Sequence, residues 1–330
     1  MSRGDAQPPT LGIDVGGTKT QGIVLDGDAR VIADRRGRTE TGPSGVIATA
    51  LAVARDCLRL AGVGTAELGS VGVGIPGRVD HRTGVVCTAV NLGIGRLELG
   101  SVLSAELGVP VYVDNDVKAT ALGAADYLRA GEADLTYLNL GTGVASATLI
   151  GGRLVRGTDN LAGEIGHVPV DPTAGRCACG QQGCIEVLAG GGQIANRLAA
   201  GDSGLTLSTL LAAAEAGDQA ATDEALRIAT GIATAVQLVV LAHGSTRVAL
   251  GGGVVQTAPG LVDLTRRLLD ERARQSEFLA SLDLAGRISL VPAEHPLAAI
   301  GAALVGRAGV ADLRWERPVR MEPASRERQS

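Results

Sequence analysis

The chain has 330 residues, 45% hydrophobic and 20% charged, with a formal net charge of −5. That length gives room for two domains with substantial cores, the composition is that of an ordinary globular protein, and the charge offers no electrostatic reason to bind nucleic acid or an anionic membrane. With one Trp, one Phe and three Tyr against 48 glycines, the core must be built from Val, Leu, Ile and Ala.

Residues 1–9 are polar and contain proline, with no apolar stretch of the kind a secretion signal needs, so they are expected as a tail. No export signal and reduced cysteines favour the cytoplasm. Three short runs, 11–16, 20–25 and 30–36, the last two separated by the turn signal Asp26-Gly27-Asp28, predict antiparallel strands. Residues 44–61 are apolar at helical spacing, start after Pro43 and stop at Gly62. A strand at 70–75 ends in Pro76-Gly77, a helix follows at 99–107, a strand at 109–113 and a helix at 116–130. The pattern then restarts. Strands 135–140 and 144–150 flank Gly141-Thr142-Gly143, and Gly151-Gly152 turns the chain into 153–156. A strand meander with a glycine hairpin thus occurs twice, which predicts two similar α/β halves facing each other. Helices are expected from 187 to 243, a strand at 247–250, a helix at 261–277, a strand at 288–292, a small-residue helix at 297–308 and a charged tail. The longest apolar run, near 232–242, contains Gln237 and is too short to span a bilayer.

Asp14-Val15-Gly16-Gly17-Thr18-Lys19 lies at a hairpin tip. Glycines there let backbone N–H groups approach phosphate oxygens. Thr18 adds a hydroxyl, Lys19 a positive charge and Asp14 a carboxylate suited to Mg²⁺. Gly141, Thr142 and Gly143 form the matching hairpin, and two such tips could hold a polyphosphate chain from both sides. Gly251, Gly252 and Gly253 follow a strand and suit close approach to a nucleoside, although a plain turn accounts for them almost as well. Asp114-Asn115-Asp116 ends a strand and opens a helix; an N-cap accounts for one of the three. Asp116, fixed in the first turn and aimed into a cleft between the halves, is placed to act as general base on a hydroxyl during phosphoryl transfer, and Asn115 could bond sugar hydroxyls. Gly77, Arg78 and Asn91 are further candidates for touching a ligand. Cys57 and Cys87 read as small core residues.

The densest motif is Glu164-Ile165-Gly166-His167 followed by Cys177-Ala178-Cys179-Gly180-Gln181-Gln182-Gly183-Cys184-Ile185-Glu186. His167, Cys177, Cys179 and Cys184 make a Cys₃His set, the composition of a structural zinc site. Free cysteines in a loop, or a disulfide leaving one thiol over, are the competing readings. A metal here would fix Glu164 and Glu186 in space.

These motifs make the chain similar to the ROK family of bacterial sugar kinases, within the actin-like, hexokinase-like ATPase fold. The resemblance spans roughly residues 10–308. Its most specific element is Glu164-x-x-His167 with Cys177-x-Cys179-Gly180-x-x-Gly183-Cys184-x-Glu186, which looks like the family's zinc signature. The 14–19 hairpin matches the first ATP phosphate motif, Leu140-Gly141-Thr142-Gly143 the second, Asn115-Asp116 the pair carrying the catalytic base, and 251–253 the adenosine turn. The resemblance implies two actin-like (ribonuclease H-like) α/β domains flanking a cleft: 10–115 with the helix 297–308 packing back on it, then 116–296 carrying the zinc loop, with tails at 1–9 and 313–330. It implies that Asn91, Asn115, Asp116, Glu164, His167 and Glu186 hold the sugar, Gly77 and Arg78 line the rim, and His167 also ligates the metal. ATP, Mg²⁺ and structural Zn²⁺ are the implied cofactors, and a dimer or tetramer the implied assembly. The repressors of the family carry a winged-helix domain, for which no room is expected before Asp14. Two departures stand out. Leu92-Gly93-Ile94-Gly95 lacks the Trp frequent in the family's glucokinases, and position 118 is Lys where a small polar residue is common. The expected activity is glucose 6-phosphorylation with Asp116 as base. Rivals are kinases for N-acetylmannosamine, N-acetylglucosamine, fructose or a cyclitol, polyphosphate in place of ATP, and a non-catalytic sugar-binding regulator.

Overall fold

The computed structural model describes residues 7–201, 204–309 and 320–321. Most of the two expected tails lies outside these residues. The first elements in chain order are β1 (Thr10–Val15), β2 (Lys19–Leu25), β3 (Arg30–Arg38), α1 (Gly42–Ala61), β4 (Ser70–Ile75), β5 (Arg78–Asp80), β6 (Val85–Thr88), α2 (Leu99–Leu107), β7 (Val111–Asn115) and α3 (Asp116–Tyr127). Then come β8 (Leu135–Leu140), β9 (Val144–Ile150), β10 (Arg153–Leu154), α4 (Ile185–Ala189), α5 (Gly191–Ala200), α6 (Leu207–Glu215) and α7 (Gln219–His243). The chain ends with β11 (Arg247–Gly251), α8 (Gly253–Thr257), α9 (Gly260–Arg274), α10 (Glu277–Leu282), β12 (Ile288–Leu290), α11 (Leu297–Ala308) and β13 (Arg320–Met321).

The repeat expected from the sequence is present as topology. One sheet has the order β13-β3-β2-β1-β4-β7 and the other β10-β9-β8-β11-β12. In each, an antiparallel meander of three strands leads to two parallel strands on the far side of its first member. This is the actin-like α/β duplication. The described residues fall into two compact units, one within Met1–Glu132, Gly152–Asn160 and Pro296–Ser330, the other within Ala133–Gly151 and Leu161–His295. The boundary expected at 115/116 therefore moves. α3 packs on α11 and β4, so it stays with the first unit.

Local chemistry explains the elements. α1 has proline in its first turn, and Gly62 ends it at φ 65° with its amide turned back to the last carbonyls. α11 is built almost wholly of Ala, Gly, Leu and Val, and lies against glycines of the sheet. A Cβ on Gly12 would stand 2.2 Å from the Ala299 carbonyl oxygen, and one on Gly72 1.8 Å from that of Ala302. Leu11, Ile13, Val71, Val73 and Val113 close the first core against α1 and α2. The second core joins Leu138, Leu140, Val248 and Leu250 to α7 and α9.

Several details differ from expectation. The expected helical stretch after 187 is four helices, with glycines at or beside each break. The expected helix 261–277 breaks after Arg274, where Ser276 caps α10 by accepting the Leu279 amide at 3.3 Å. The β5–β6 hairpin carried no strand signal strong enough to predict. Arg320 and Met321, expected in a frayed tail, pair with Arg30 and Val31. α7 extends well beyond the apolar run at 232–242. Among the described residues it is the one helix long and apolar enough to cross a membrane, yet 56% of its most apolar stretch is buried, and those residues build the second core.

The α3–α11 contact sets a testable constraint. A Cβ on Gly301 would lie 1.7 Å from the Ala119 carbonyl oxygen. Gly301→Ala is expected to lower unfolding stability by about 3 kcal/mol or more, above the usual overpacking cost because the obstacle is backbone. Urea denaturation checks this; an unchanged midpoint would refute the close packing.

Candidate active site

The end of β1 carries the first candidate group. Asp14 pairs in register with Gln21 on β2 and Gly74 on β4. The residue keeps some surface, but its carboxyl is enclosed, and burial together with the charge of Asp116 pushes its pKa up to about 7. Beyond it the chain turns tightly, with the Gly16 amide donating to the Lys19 carbonyl at 2.9 Å. Gly16 is required by the turn itself, since a Cβ would meet that carbonyl at 2.8 Å. At Gly17 no protein atom lies within 4 Å of where a Cβ would stand. Gly17, Thr18 and Lys19 are all exposed.

The β7–α3 junction holds the second. Asn115 caps α3, its side-chain oxygen accepting from the Val117 and Lys118 amides at 3.0 and 3.2 Å. Its NH₂ group donates to the Gly77 carbonyl at 3.1 Å and to Asp116 Oδ1 at 3.0 Å. Both protons are thus engaged in the ligand-free structure, and the second of these bonds orients Asp116. Asp116 is half-buried in the first turn, and its Cα lies 3.6 Å from where a Cβ on Gly74 would stand, beside Asp14. Gly77 has φ 98° and its Cβ position is blocked at 2.1 Å by the Thr88 carbonyl, so the turn before β5 admits no side chain. Arg78 and Asn91 are exposed, in β5 and in the turn Val90–Leu92.

Asp114, fully buried, anchors this junction. Its Oδ1 accepts from the Asn115 amide at 2.8 Å and from Asn160 Nδ2 at 3.0 Å, while Oδ2 takes Arg156 Nε at 3.0 Å and Nη2 at 2.9 Å. Asn160 also donates to the Val79 carbonyl at 3.1 Å and receives buried Lys118 on its own carbonyl at 3.0 Å. Lys118, the residue that departs from the family pattern, is 3% exposed and engaged in this network.

The second unit carries its own set. At the tip of the β8–β9 hairpin Thr142 is exposed, and the Gly141 and Thr142 carbonyls accept from the Gly191 and Gly192 amides at 2.8 and 2.9 Å. Gly251 and Gly252 are demanded by the fold: a Cβ would strike the Tyr137 hydroxyl at 2.6 Å and the Leu140 carbonyl carbon at 2.4 Å. Gly253, opening α8, has nothing within 4 Å.

His167, Cys177, Cys179 and Cys184 come together, their ligand atoms all within 4.8 Å of one another. Cys177 Sγ is 3.6 Å from His167 Nδ1, and Cys179 Sγ is 3.7 Å from Cys184 Sγ. Tetrahedral zinc would set such edges at about 3.6–3.8 Å. The Gln181 backbone amide, helped by the Gln181 side chain donating to Cys179 Sγ at 3.4 Å, lowers that thiol to about 6, while burial and the neighbouring thiols push Cys184 up to about 12. Glu186 is not simply exposed to a ligand. Its Oε2 accepts the Val144 amide at 3.1 Å, at the base of the 141–143 hairpin. Glu164 is exposed. Gly77, Arg78, Asn91, Asn115 and Asp116 thus belong to the first unit and Glu164, His167 and Glu186 to the second.

A family model described as "ROK family" matches residues 10–307. The chain belongs to the ROK family. The Streptomyces coelicolor glucokinase is 33% identical over 183 residues, 55% of this chain and 56% of that protein, so the match spans little more than half of either. The Halalkalibacterium halodurans glucokinase is 31% identical over 276 residues, 76% of this chain and 82% of its own. The Citrobacter koseri N-acetylmannosamine kinase is 29% identical over 308 residues, 90% and 98%. Among solved structures, the ROK hexokinase from Thermus thermophilus is similar with a TM-score of 0.77 at 27% identity, covering 91% of this chain and 98% of that one. The Streptomyces griseus ROK glucokinase in complex with glucose and AMPPNP gives 0.72 at 26%, covering 91% and 100%.

Sequence reasoning on this ROK chain missed Arg156 and Asn160. They lie in a stretch that reads as a strand and loop of the second half but belongs to the first unit. Asp114, an acid near the end of a strand with no basic residue adjacent in sequence, was the available signal that a cation must come from elsewhere. Arg156→Met leaves Asp114 buried and unpaired, and is expected to cost about 3–5 kcal/mol. Denaturation of the single variant and of Arg156→Met with Asp114→Asn checks this, the second change recovering part of the loss. A second expectation concerns Asp14. A carboxyl held at about 7 when folded, against 3.8 as a model group, binds its proton more tightly in the folded state. Its stabilisation is complete below pH 3.8 and is lost as pH rises through about 7, with a ceiling of about 4 kcal/mol. Thermal melts of the nucleotide-free protein between pH 5 and 8 are expected to fall less steeply for Asp14→Asn than for the parent.

Proposed function

We propose that this ROK-family protein is an ATP-dependent sugar kinase that phosphorylates the 6-hydroxyl of glucose, with Asp116 as general base. The observation that carries this reading is the first turn of α3, where Asn115 orients a half-buried Asp116 beside the enclosed Asp14. As the sugar oxygen bonds to the γ-phosphorus, the bond from that phosphorus to the ADP oxygen breaks, and Asp116 takes the hydroxyl proton. The exposed turn Gly17–Thr18–Lys19 and the tip at Gly141, Thr142 and Gly143 take the phosphates through backbone amides. Gly253, with no protein atom facing it, leaves room for the nucleoside. Bound with the nucleotide, Mg²⁺ supplies positive charge to the phosphate oxygens, and Asp14 is the carboxylate that would face it. Gly77, Arg78, Asn91, Asn115, Glu164, His167 and Glu186 complete the assignment of residues near the sugar.

The spacing of His167, Cys177, Cys179 and Cys184 fits a four-coordinate Zn²⁺ with no position left for water, which makes the metal's role structural. The glucokinase relatives and the AMPPNP-bound structural neighbour support glucose and ATP. The nearly full-length match to an N-acetylmannosamine kinase favours that sugar as the second reading. The same reading places the protein in the cytoplasm, as a homodimer or tetramer.

Purified protein assayed with labelled ATP against a panel of sugars is expected to phosphorylate glucose best. Asp116→Asn is expected to lower kcat by about 10²–10⁴, with AMPPNP affinity held within about twofold of the parent, well under a tenfold step. Wild-type turnover in that variant would remove Asp116 as the base, and transfer to no sugar would remove the kinase reading.

A further inference from the structure

We infer that Glu186 is a positioning residue that couples the Cys/His metal cluster to the 141–143 hairpin, so that metal loading sets nucleotide affinity even when no sugar is present. This rests on the reading in which that hairpin takes donor phosphates. Glu186 follows the ligand Cys184 by two residues and lies in the first turn of α4. Its carboxylate has two neighbours of different kinds. Oε1 lies 3.9 Å from Cys177 Sγ, and Oε2 accepts the Val144 amide at 3.1 Å. The second contact exists only because position 143 has no side chain. A Cβ on Gly143 would stand 2.3 Å from Oε2, so the carboxylate occupies the space that the glycine opens under the hairpin.

The chain from Cys184 to Gly192 is one short piece that holds the hairpin at three places. Glu186 grips its base, and the Gly191 and Gly192 amides bond the Gly141 and Thr142 carbonyls at its tip. The upstream end of this piece is tied by the Ile185 amide to the Val168 carbonyl at 3.0 Å, one residue beyond His167. The ligands His167 and Cys184 therefore bracket the anchor. An ion that holds them at tetrahedral spacing fixes where α4 starts and where the Glu186 carboxylate stands. Without the ion, the fragment 184–192 and the hairpin it carries lose that fixed end. A residue that served the sugar alone would leave nucleotide affinity untouched in the absence of sugar.

The test is calorimetric titration of AMPPNP into sugar-free protein: parent with metal content verified, chelator-treated parent, Glu186→Ala and Glu186→Gln, with circular dichroism as a folding control. Metal removal and Glu186→Ala are each expected to weaken AMPPNP by about tenfold, and chelation of Glu186→Ala is expected to add little to the loss. Glu186→Gln, whose amide oxygen can still accept from Val144, is expected to stay within about twofold of the parent, well under a tenfold step. Zn²⁺ added back restores the parent but not Glu186→Ala. Equal affinity in parent, metal-free parent and Glu186→Ala would overturn the coupling, as would fully additive losses. Should stripping the metal unfold the chain, Glu186→Ala against Glu186→Gln decides alone, and identical affinities there refute the role. A parent that does not bind AMPPNP at all refutes the donor-site reading beneath it, a different result from unchanged affinity.

Discussion

The arrangement at Asp116 depends on how closely one helix can lie on a sheet. α11 sits against β1 and β4 where Gly12 and Gly72 have no side chains, and against α3 where Gly301 meets the Ala119 backbone and Gly123 meets the Leu297 backbone. Every one of those four positions would put a Cβ within about 2.2 Å of a carbonyl oxygen, a distance at which the elements would have to separate. Held this way, α3 starts beside the end of β1. Two carboxylates, Asp14 and Asp116, then share one neighbourhood, and the cost appears as a carboxyl pushed up to about 7. Burial first and the like charge second disfavour the ionised form of Asp14 there.

A second constraint concerns orientation rather than proximity. Asp114 is buried and ionic, and all of its bonds serve the junction that follows it. Arg156 neutralises one oxygen. The other is shared by the Asn115 amide and Asn160, and Asn160 in turn binds β5 and Lys118. A buried ion pair of this kind is weak evidence for net stability, since its desolvation is expensive. Its value lies in the single geometry it permits. With the Asn115 peptide fixed and the Asn115 side chain spent on the helix cap, the Asp116 carboxylate has little freedom left.

The fold was legible because its two repeats carry the same punctuation. A meander, a glycine hairpin and a later parallel strand recur in one order, and the bounds expected for α2 and α11 match to the residue. The Cys₃His set was legible because four soft ligands this close together in sequence seldom serve anything but a metal ion. What stayed hidden was of two kinds. Arg156 and Asn160 reach Asp114 from more than forty positions away, and no local pattern announces such a partner. Asn115, Glu186 and Lys118 were visible as polar residues in telling places, but their hydrogen-bond partners were not. The structure supplies those partners: Asp116 for Asn115, the Val144 amide for Glu186 and the Asn160 carbonyl for Lys118.

The glycines show how the two kinds of demand can be told apart. Gly12, Gly72 and Gly301 are required by backbone packed against them, and Gly252 both by its φ of 96° and by the Leu140 carbonyl. Gly17, Gly95 and Gly253 have ordinary φ values and no protein atom within 4 Å of a built Cβ. Packing would accept alanine at each, so the fold itself does not require glycine there. Gly17 lies in the turn after Asp14, Gly253 at the start of α8, and Gly95 in the loop after Asn91. Those are the places where a phosphate, a nucleoside and a sugar are proposed to approach. Glycines that packing requires and glycines that it leaves open are thus separable by geometry, whereas glycine-rich motifs count both kinds alike.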